Sequence, residues 1–267
     1  MQSTANSNGF KINAGSAAQR TGYFGMAGEL DFNGDGLPDY LISNTYADSM
    51  TSGRVYLAYG NSSGQAVQLS TLDGGANNSL GFRVDQNASP SSGGIAFNRG
   101  NGSTGTGGNT GVSDIGDFNG DGLEDIAIGQ SLASTGNSSS TSEPGRVVVL
   151  FGSTTARSNL TLPAFSILSL PGGFILQGDS SMGPMLGSTV AGNGDINGDG
   201  YSDLLVTTSN TGSTVSGAGA GGASPVGTGY VVYGSSGLAS FNVTQFSTAG
   251  FTKGFIVSNI EIGRAHV

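Results

Sequence analysis

Short apolar clusters alternate with runs of Gly, Ser and Asn along the chain. Many short apolar segments bounded by turn-forming residues are typical of strands joined by tight turns. No stretch of helical length carries apolar residues at three- and four-residue spacing. The pattern therefore predicts an all-β protein in which helix is nearly absent.

One strand pattern recurs four times, as a Gly-Phe pair followed by apolar positions at residues 9–12, 81–84, 173–176 and 254–257. After each of the first three copies come a Gly-rich stretch, an acidic loop, an apolar strand and a further strand that ends in Gly. Self-similarity at this spacing indicates a repeat architecture. Each repeat is predicted to hold about four short strands.

The strands that follow the acidic loops, residues 40–42, 126–128 and 204–206, are apolar at consecutive positions. Such strands are expected to be buried on both faces. A four-stranded sheet with two buried faces has to be stacked between neighbours, as the blades of a β-propeller are. The predicted units are blade 1 at residues 1–80, blade 2 at 81–172, blade 3 at 173–253 and the start of a fourth blade at 254–260.

Three runs rich in Gly, Ser and Thr, residues 98–111, 134–142 and 211–229, separate the apolar clusters. They hold too few apolar residues to fold alone, so we expect exposed loop insertions there.

The composition narrows the classes of partner. The net charge is −9, which makes nucleic acid and an anionic membrane surface poor partners. The absence of Cys excludes disulfides and thiolate metal sites. No apolar stretch approaches the roughly 20 residues that a membrane-spanning helix needs.

The acidic residues are concentrated in three loops of one pattern: DFNGDGLPD at 31–39, DFNGDGLED at 117–125 and DINGDGYSD at 195–203. Nine of the 18 acidic residues are the aspartates at positions 1, 5 and 9 of these loops. Like charges so close together repel, and no Lys or Arg lies within the loops. A calcium ion, which takes 6–8 oxygen ligands in irregular geometry, would relieve the repulsion.

The sequence therefore predicts about three Ca²⁺ ions, one in each loop, held by side chains at positions 1, 3, 5 and 9 and by the backbone carbonyl at position 7. The side chains at position 7 differ between loops, which suggests that they have no role. The predicted ligands are Asp31, Asn33, Asp35, Leu37 and Asp39 in the first loop, Asp117, Asn119, Asp121, Leu123 and Asp125 in the second, and Asp195, Asn197, Asp199, Tyr201 and Asp203 in the third.

Two other interpretations of the loops are available. An EF-hand needs a Glu at position 12 and flanking helices, but position 12 is Ile42, Ile128 or Val206 here. Clusters of Asp, Asn and Gly also form turns without any metal, and this second alternative stays open.

The Gly-Phe strand, the Gly-Asp-x-Asn-Gly-Asp-Gly-x-x-Asp loop and the strand ending in Gly together resemble the FG-GAP repeat of integrin α-subunit propellers. The Gly-Phe-x-Ile strand and residues 69–74 are more similar to the FG-GAP arrays of secreted bacterial proteins. The resemblance implies a β-propeller, commonly seven-bladed, with calcium between the first two strands of a blade. It also implies an extracellular role in adhesion or ligand binding.

Three blades and the start of a fourth would leave open sheet edges, so the sequence predicts a fragment whose remaining blades lie elsewhere in a full-length chain. Residues 261–267 resemble a translated sequencing adapter and are expected to be non-native, including His266, the only His.

No catalytic function is expected. Residues 60–64 fit a nucleophile-elbow pattern, but His266 is the only available base, and a strand-end turn explains the pattern. The predicted function is an extracellular calcium-binding propeller that binds a protein or glycan ligand. Two alternatives are a scaffold attached to a secreted enzyme and a passive spacer in a repeat array.

Overall fold

In the computed structural model, the described residues are 11–13, 21–48, 52–73, 78–85, 111–131, 133, 144–162, 165, 169–182, 185–208 and 227–260. Their strands, in chain order, are β1 (Ile12–Asn13), β2 (Thr21–Leu30), β3 (Asp39–Asp48), β4 (Ser52–Ala58), β5 (Val67–Gln68), β6 (Gly81–Asp85), β7 (Val112–Gly116), β8 (Asp125–Gln130), β9 (Arg146–Leu150), β10 (Leu160–Thr161), β11 (Gly173–Gln177), β12 (Thr189–Gly194), β13 (Asp203–Thr207), β14 (Gly227–Val232), β15 (Phe241–Asn242) and β16 (Gly254–Ile260). The helices among them are one short α-helix, α1 (Leu69–Asp73), and 3₁₀ turns at Asn78–Leu80, Ser180–Met182 and Val243–Ser247. The prediction of an all-β chain with almost no helix is confirmed for the described residues.

Three antiparallel sheets repeat one strand order. The first sheet is β2-β3-β4-β6, the second is β7-β8-β9-β11 and the third is β12-β13-β14-β16. A short strand from the following repeat adds to the outer edge of the first two sheets, β10 parallel to β6 and β15 parallel to β11. The strands β1 and β5 pair in the same parallel manner.

The Gly-Phe strands β6, β11 and β16 each form the last strand of a sheet. The predicted unit boundaries at 81, 173 and 254 therefore fall one strand before the end of each sheet, and β16 completes the third sheet rather than beginning a fourth. A glycine starts these strands because a Cβ at Gly81, Gly173 or Gly254 would collide with a carbonyl oxygen of the neighbouring strand.

The sheets stack face to face. Leu41, Leu57 and Phe82 of the first sheet pack against Ile126 and Val148 of the second sheet, and all five side chains are buried. A second core cluster joins the second and third sheets through Phe118, Val149, Phe174, Leu204 and Val206, among others. The strand β8 is buried along its whole length, as its consecutive apolar residues predict.

The first strands of the sheets lie side by side, because β7 contacts both β2 and β12. Gly192 of β12 lies so close to Ile115 of β7 that a Cβ at Gly192 would overlap Ile115. Stacked four-stranded sheets with adjacent first strands are the arrangement of propeller blades. The fold is a partial β-propeller, and the described residues form no closed barrel.

The outer face of the first sheet is covered by α1. Leu69 and Leu72 of this helix pack on Ile42 and Tyr56. Ion pairs close the edge of this contact: Arg54 to Asp85 at 2.7 Å and to Asp73 at 3.2 Å, and Arg83 to Asp85 at 2.8 Å and to Asp73 at 3.2 Å.

The Gly/Ser/Thr-rich runs lie mostly outside the described residues, as do residues 261–267. The predicted insertion at 211–229 extends too far, because residues 227–229 form the start of β14, where Thr228 exchanges hydrogen bonds with Thr208. Within the described part of the chain, no helix is long and apolar enough to cross a membrane.

Candidate metal centre

Each acidic loop connects the first two strands of a sheet. The first loop joins β2 to β3, the second joins β7 to β8 and the third joins β12 to β13. The three loops therefore hold equivalent places in three equivalent sheets, as the repeat predicts.

The aspartate at position 1 organises the backbone of its own loop. In the second loop, Asp117 Oδ1 accepts hydrogen bonds from the N–H groups of Gly120 at 2.7 Å and Asp121 at 3.0 Å. Asp117 Oδ2 accepts one from Gly122 at 2.9 Å. The chain can turn this sharply because Gly120 and Gly122 have φ values of +78° and +88°.

Positions 3 and 5 continue the same pattern. Asn119 Oδ1 accepts from the N–H of Asp121 at 2.8 Å, and Asp121 Oδ1 accepts from the N–H of Leu123 at 2.9 Å. The Asn119 carboxamide donates to Asp121 Oδ2 at 2.9 Å. Positions 1, 3 and 5 are thus folded around one turn of backbone.

The other two loops have nearly the same hydrogen bonds. The same bonds recur in both loops. Position 1 accepts from the N–H groups of positions 5 and 6, position 3 accepts from position 5, and position 5 accepts from position 7. The residues concerned are Asp31, Asn33, Asp35, Gly36 and Leu37 in the first loop and Asp195, Asn197, Asp199, Gly200 and Tyr201 in the third.

The aspartate at position 9 has a different, buried role. Asp125 is fully buried, and its Oδ2 accepts from the N–H groups of Phe118 at 2.9 Å and Asn119 at 3.2 Å. Its Oδ1 accepts a hydrogen bond at 2.7 Å from the N–H of Gly152, which follows β9, the third strand of the sheet. The equivalent pairs are Asp39 with Gly60 at 2.8 Å and Asp203 with Gly234 at 3.0 Å.

The sequence assigned position 9 only to the metal and missed this anchor. The sequence does contain a signal for this anchor, since a glycine follows each acidic loop at an equivalent place, at positions 60, 152 and 234. The glycine is required because a Cβ at each of these positions would overlap atoms of the acidic loop. Position 9 therefore ties the loop to the end of the third strand.

Burial, nearby charges and hydrogen bonds shift the pKa values of the loop aspartates in different directions. The pKa of Asp39 is raised to about 7, mainly by burial and in part by the nearby carboxylates of Asp35 and Asp31, although hydrogen bonds from two backbone N–H groups lower it. Burial likewise raises the pKa of Asp125 to about 7. In the exposed third loop, the N–H groups of Gly200, Gly198 and Asp199 lower the pKa of Asp195.

In the second and third loops, the side chain at position 7 contacts the preceding loop. Leu123 lies over Gly34 of the first loop, and Tyr201 lies over Gly120 of the second, in each case where a Cβ on the glycine would collide with it. The expectation that these side chains have no role is wrong for Leu123 and Tyr201, which pack on a neighbouring loop. The predicted carbonyl contact would use only the backbone.

Position 8 also reaches the preceding loop. The Glu124 carboxylate accepts a hydrogen bond from the N–H of Asp31, and the N–H of Ser202 donates to the Asp117 carbonyl at 3.0 Å. Burial is the main cause that raises the pKa of Glu124. This contact is not predictable from the sequence, because residues 31 and 124 meet only when two sheets are stacked.

The donor set suits a hard cation. It consists of carboxylate, carboxamide and carbonyl oxygens, which are the ligands that calcium prefers. A carboxylate oxygen that accepts one hydrogen bond keeps a lone pair for a metal ion. In the described residues, however, no group of three or more His, Cys, Asp or Glu side chains is arranged to hold a metal ion. The aspartates at position 9 accept hydrogen bonds from backbone N–H groups in all three loops.

One family model matches the chain. Residues 111–150, which contain β7, the second loop, β8 and β9, match the FG-GAP repeat. No curated protein matches the chain. FG-GAP repeats are structural, generally non-catalytic units that are typically found in extracellular domains. Residues 111–150 are therefore an FG-GAP repeat, set in a partial β-propeller whose first and third sheets repeat its strand order and its acidic loop.

Proposed function

We propose that the chain is a calcium-binding part of an extracellular propeller, in which about three Ca²⁺ ions stabilise the loops and take no part in catalysis. The ions bind the predicted ligands at positions 1, 3, 5, 7 and 9 of the three loops. The propeller serves adhesion or ligand binding, with an extracellular protein or glycan as its partner.

The observation that carries the proposal is the same oxygen-rich turn at three equivalent places. In each loop, backbone N–H groups already orient the oxygens of positions 1, 3 and 5 around one turn. Burial is the main cause of the raised pKa of Asp39, and repulsion by the carboxylates of Asp35 and Asp31 adds to it. A divalent cation would remove this repulsion by neutralising the carboxylates.

Contacts between the loops favour a stabilising role for the metal. The acidic loops contact one another through positions 7 and 8, so a stiffer loop would also hold its neighbour. Calcium modules of extracellular proteins bind at about 10⁻⁴–10⁻³ M. At ~1 mM calcium, a site with a dissociation constant of ~10⁻⁴ M would add roughly 1.4 kcal/mol to the free energy of unfolding.

The proposal is tested by thermal unfolding of the full chain in ~1 mM calcium and in EDTA. Calcium is expected to raise the melting temperature, since three sites would add roughly 4 kcal/mol in total. Magnesium at the same concentration should raise it less, because it demands a stricter octahedral site. Identical melting curves with and without EDTA would leave the metal-free turn as the correct interpretation.

A matched pair of variants locates the sites. Asp199→Ala removes a carboxylate at position 5, whereas Ser202→Ala leaves the backbone N–H at position 8 and all predicted ligands in place. Calorimetric titration should show one calcium site lost or weakened in the first variant and three sites retained in the second. Equal calcium binding by both variants would contradict the assignment of Asp199.

A further inference from the structure

Positions 3 and 4 of each acidic loop form an Asn-Gly pair: Asn33-Gly34, Asn119-Gly120 and Asn197-Gly198. The backbone nitrogen that follows an Asn can attack the carboxamide carbon of that Asn and close a five-membered succinimide ring. Glycine hinders this attack least, because it carries no Cβ beside the nitrogen. Since the local sequence is nearly the same in the three loops, a difference in their reactivity has to come from their surroundings.

The third loop holds the groups for this reaction next to one another. Asn197 Oδ1 accepts a hydrogen bond from the N–H of Asp199 at 3.0 Å, so the carboxamide is folded over the intervening peptide group. The same N–H is placed to stabilise the negative charge that develops on Oδ1 during the attack. Asp195 Oδ1 accepts the N–H of Gly198 at 2.7 Å and is placed to take its proton.

The space around the glycine separates the third loop from the other two. Ring closure has to move the peptide group between Asn and Gly, so a side chain packed on the glycine opposes it. Gly34 lies under Leu123, and Gly120 lies under Tyr201. Nothing lies within 4 Å of a Cβ built at Gly198. The third loop is therefore the one in which the pair is free to close the ring.

The first loop also lacks the proton acceptor. In the second loop, the N–H of Gly120 donates to Asp117 Oδ1 at 2.7 Å, as in the third loop. Within the described part of the chain, Asp31 accepts backbone bonds from Asp35 and Gly36 but none from position 4. The second loop thus has the acceptor without the space, and the first loop has neither.

Another Asn-Gly pair, Asn193-Gly194, serves as a comparison at similar exposure, because all four residues of the two pairs are exposed. The Asn193 carboxamide lies against β7, with Nδ2 3.5 Å from Asp114 Oδ2 and Oδ1 beside Gly116. It is held on the neighbouring sheet instead of being folded over the peptide group that follows it. Exposure alone therefore favours both pairs, whereas the arrangement of reacting groups favours Asn197.

We propose that Asn197-Gly198 is a site of self-catalysed deamidation in the absence of calcium. Asp195 takes the proton of the Gly198 N–H, the nitrogen bonds to Cγ of Asn197, and the bond from Cγ to the amino group breaks. The amino group leaves as ammonia once it has gained that proton, directly or through water. One water molecule then opens the succinimide at either carbonyl and gives aspartate or isoaspartate.

Isoaspartate at position 3 would change the loop permanently. It adds one methylene group to the backbone, so the turn that joins positions 1, 3 and 5 could no longer keep its hydrogen bonds. The inference concerns the loop without metal and does not rest on the proposed function.

The test incubates the full chain in EDTA at neutral pH and body temperature, and follows each Asn-Gly pair by peptide mapping with mass spectrometry. Asn197 is expected to convert at least ~10-fold faster than Asn33, Asn119 and Asn193. In urea, where the tertiary contacts are lost, the four rates should become similar. Equal rates in the folded chain, or a faster reaction at Asn193, overturn the inference. So does aspartate as the sole product, because a succinimide also gives isoaspartate.

Asp195→Asn tests the proton acceptor. The new side chain keeps an oxygen that can accept the Gly198 N–H but is a much weaker base, so conversion of Asn197 should slow by about 10-fold. A variant whose loop is merely loosened would react at the same rate or faster, and that result contradicts the role of Asp195.

Tyr201→Ala tests the space. It uncovers Gly120 and leaves the bond from Gly120 to Asp117 in place, so Asn119 should accelerate towards the rate of Asn197. An unchanged rate at Asn119 contradicts the role of the covering side chain.

Discussion

At the residue scale, the loop aspartates divide into two kinds. Those at positions 1 and 5 lie on the turn and accept hydrogen bonds from their own loop. Those at position 9 are buried and join the loop to the glycine that ends the third strand segment. Within one motif, aspartate therefore stabilises the local turn at positions 1 and 5 and makes a tertiary contact at position 9.

This division predicts a difference between two variants of the second loop. Asp125→Ala leaves the N–H groups of Phe118, Asn119 and Gly152 without their acceptor. We expect a loss of about 3 to 5 kcal/mol in the free energy of unfolding, with or without calcium, because buried N–H groups without partners are costly. Urea unfolding in calcium and in EDTA measures this loss.

Asp121→Ala is the matched control, because Asp121 is exposed and accepts only one backbone bond in addition to that from Asn119. In EDTA this variant should lose less than about 1 kcal/mol. If both variants lose the same stability in EDTA, the anchor role of Asp125 is refuted.

At the element scale, α1 closes the outer face of the first sheet with two kinds of contact. Leu69 and Leu72 are buried on the sheet, while Asp73 and its two arginine partners are partly exposed. Partly exposed ion pairs contribute little because water screens them, whereas buried apolar side chains contribute in proportion to their area.

We therefore expect Leu72→Ala to cost about 2 to 4 kcal/mol and Asp73→Ala about 1 kcal/mol in the free energy of unfolding. Hydrogen exchange of residues 69–73 should accelerate strongly in the first variant and weakly in the second. The opposite order would show that the ion pairs, which link Asp73 to Arg54 and Arg83, hold the helix in place.

At the scale of the whole molecule, the stacking of the sheets decides how much each of two equivalent residues contributes to the free energy of unfolding. Phe82 and Phe255 occupy the same position in two sheets, yet only Phe82 is covered by a following sheet. Phe255 keeps a tilted ring contact with Tyr233, with ring centroids 6.0 Å apart.

Phe82→Ala is expected to cost about 3 to 5 kcal/mol in the free energy of unfolding, through lost burial and a cavity between two sheets. Phe255→Ala should cost about 1 to 2 kcal/mol, because much of its ring is already in water. Urea unfolding of the two variants checks the difference. Equal costs would mean that Phe255 is covered in solution, which the exposed ring in the structure does not predict.

The sequence alone determined the features that are local. Consecutive apolar residues predicted the buried strand β8, and Gly with Asp and Asn predicted the three turns, since these properties depend on neighbours a few residues apart. The recurrence of the motif also predicted stacked four-stranded units, because one such sheet cannot bury two apolar faces alone.

Only the tertiary structure decided which strand ends each sheet, and what the position-7, position-8 and position-9 side chains contact. Phe82 pairs with Leu57 rather than opening a new sheet, and Leu123 and Glu124 reach a loop about 90 residues away. These contacts join residues that are distant in the chain and become neighbours only when sheets stack. The same reason explains why equivalent residues such as Phe82 and Phe255 look alike in the sequence and differ in burial.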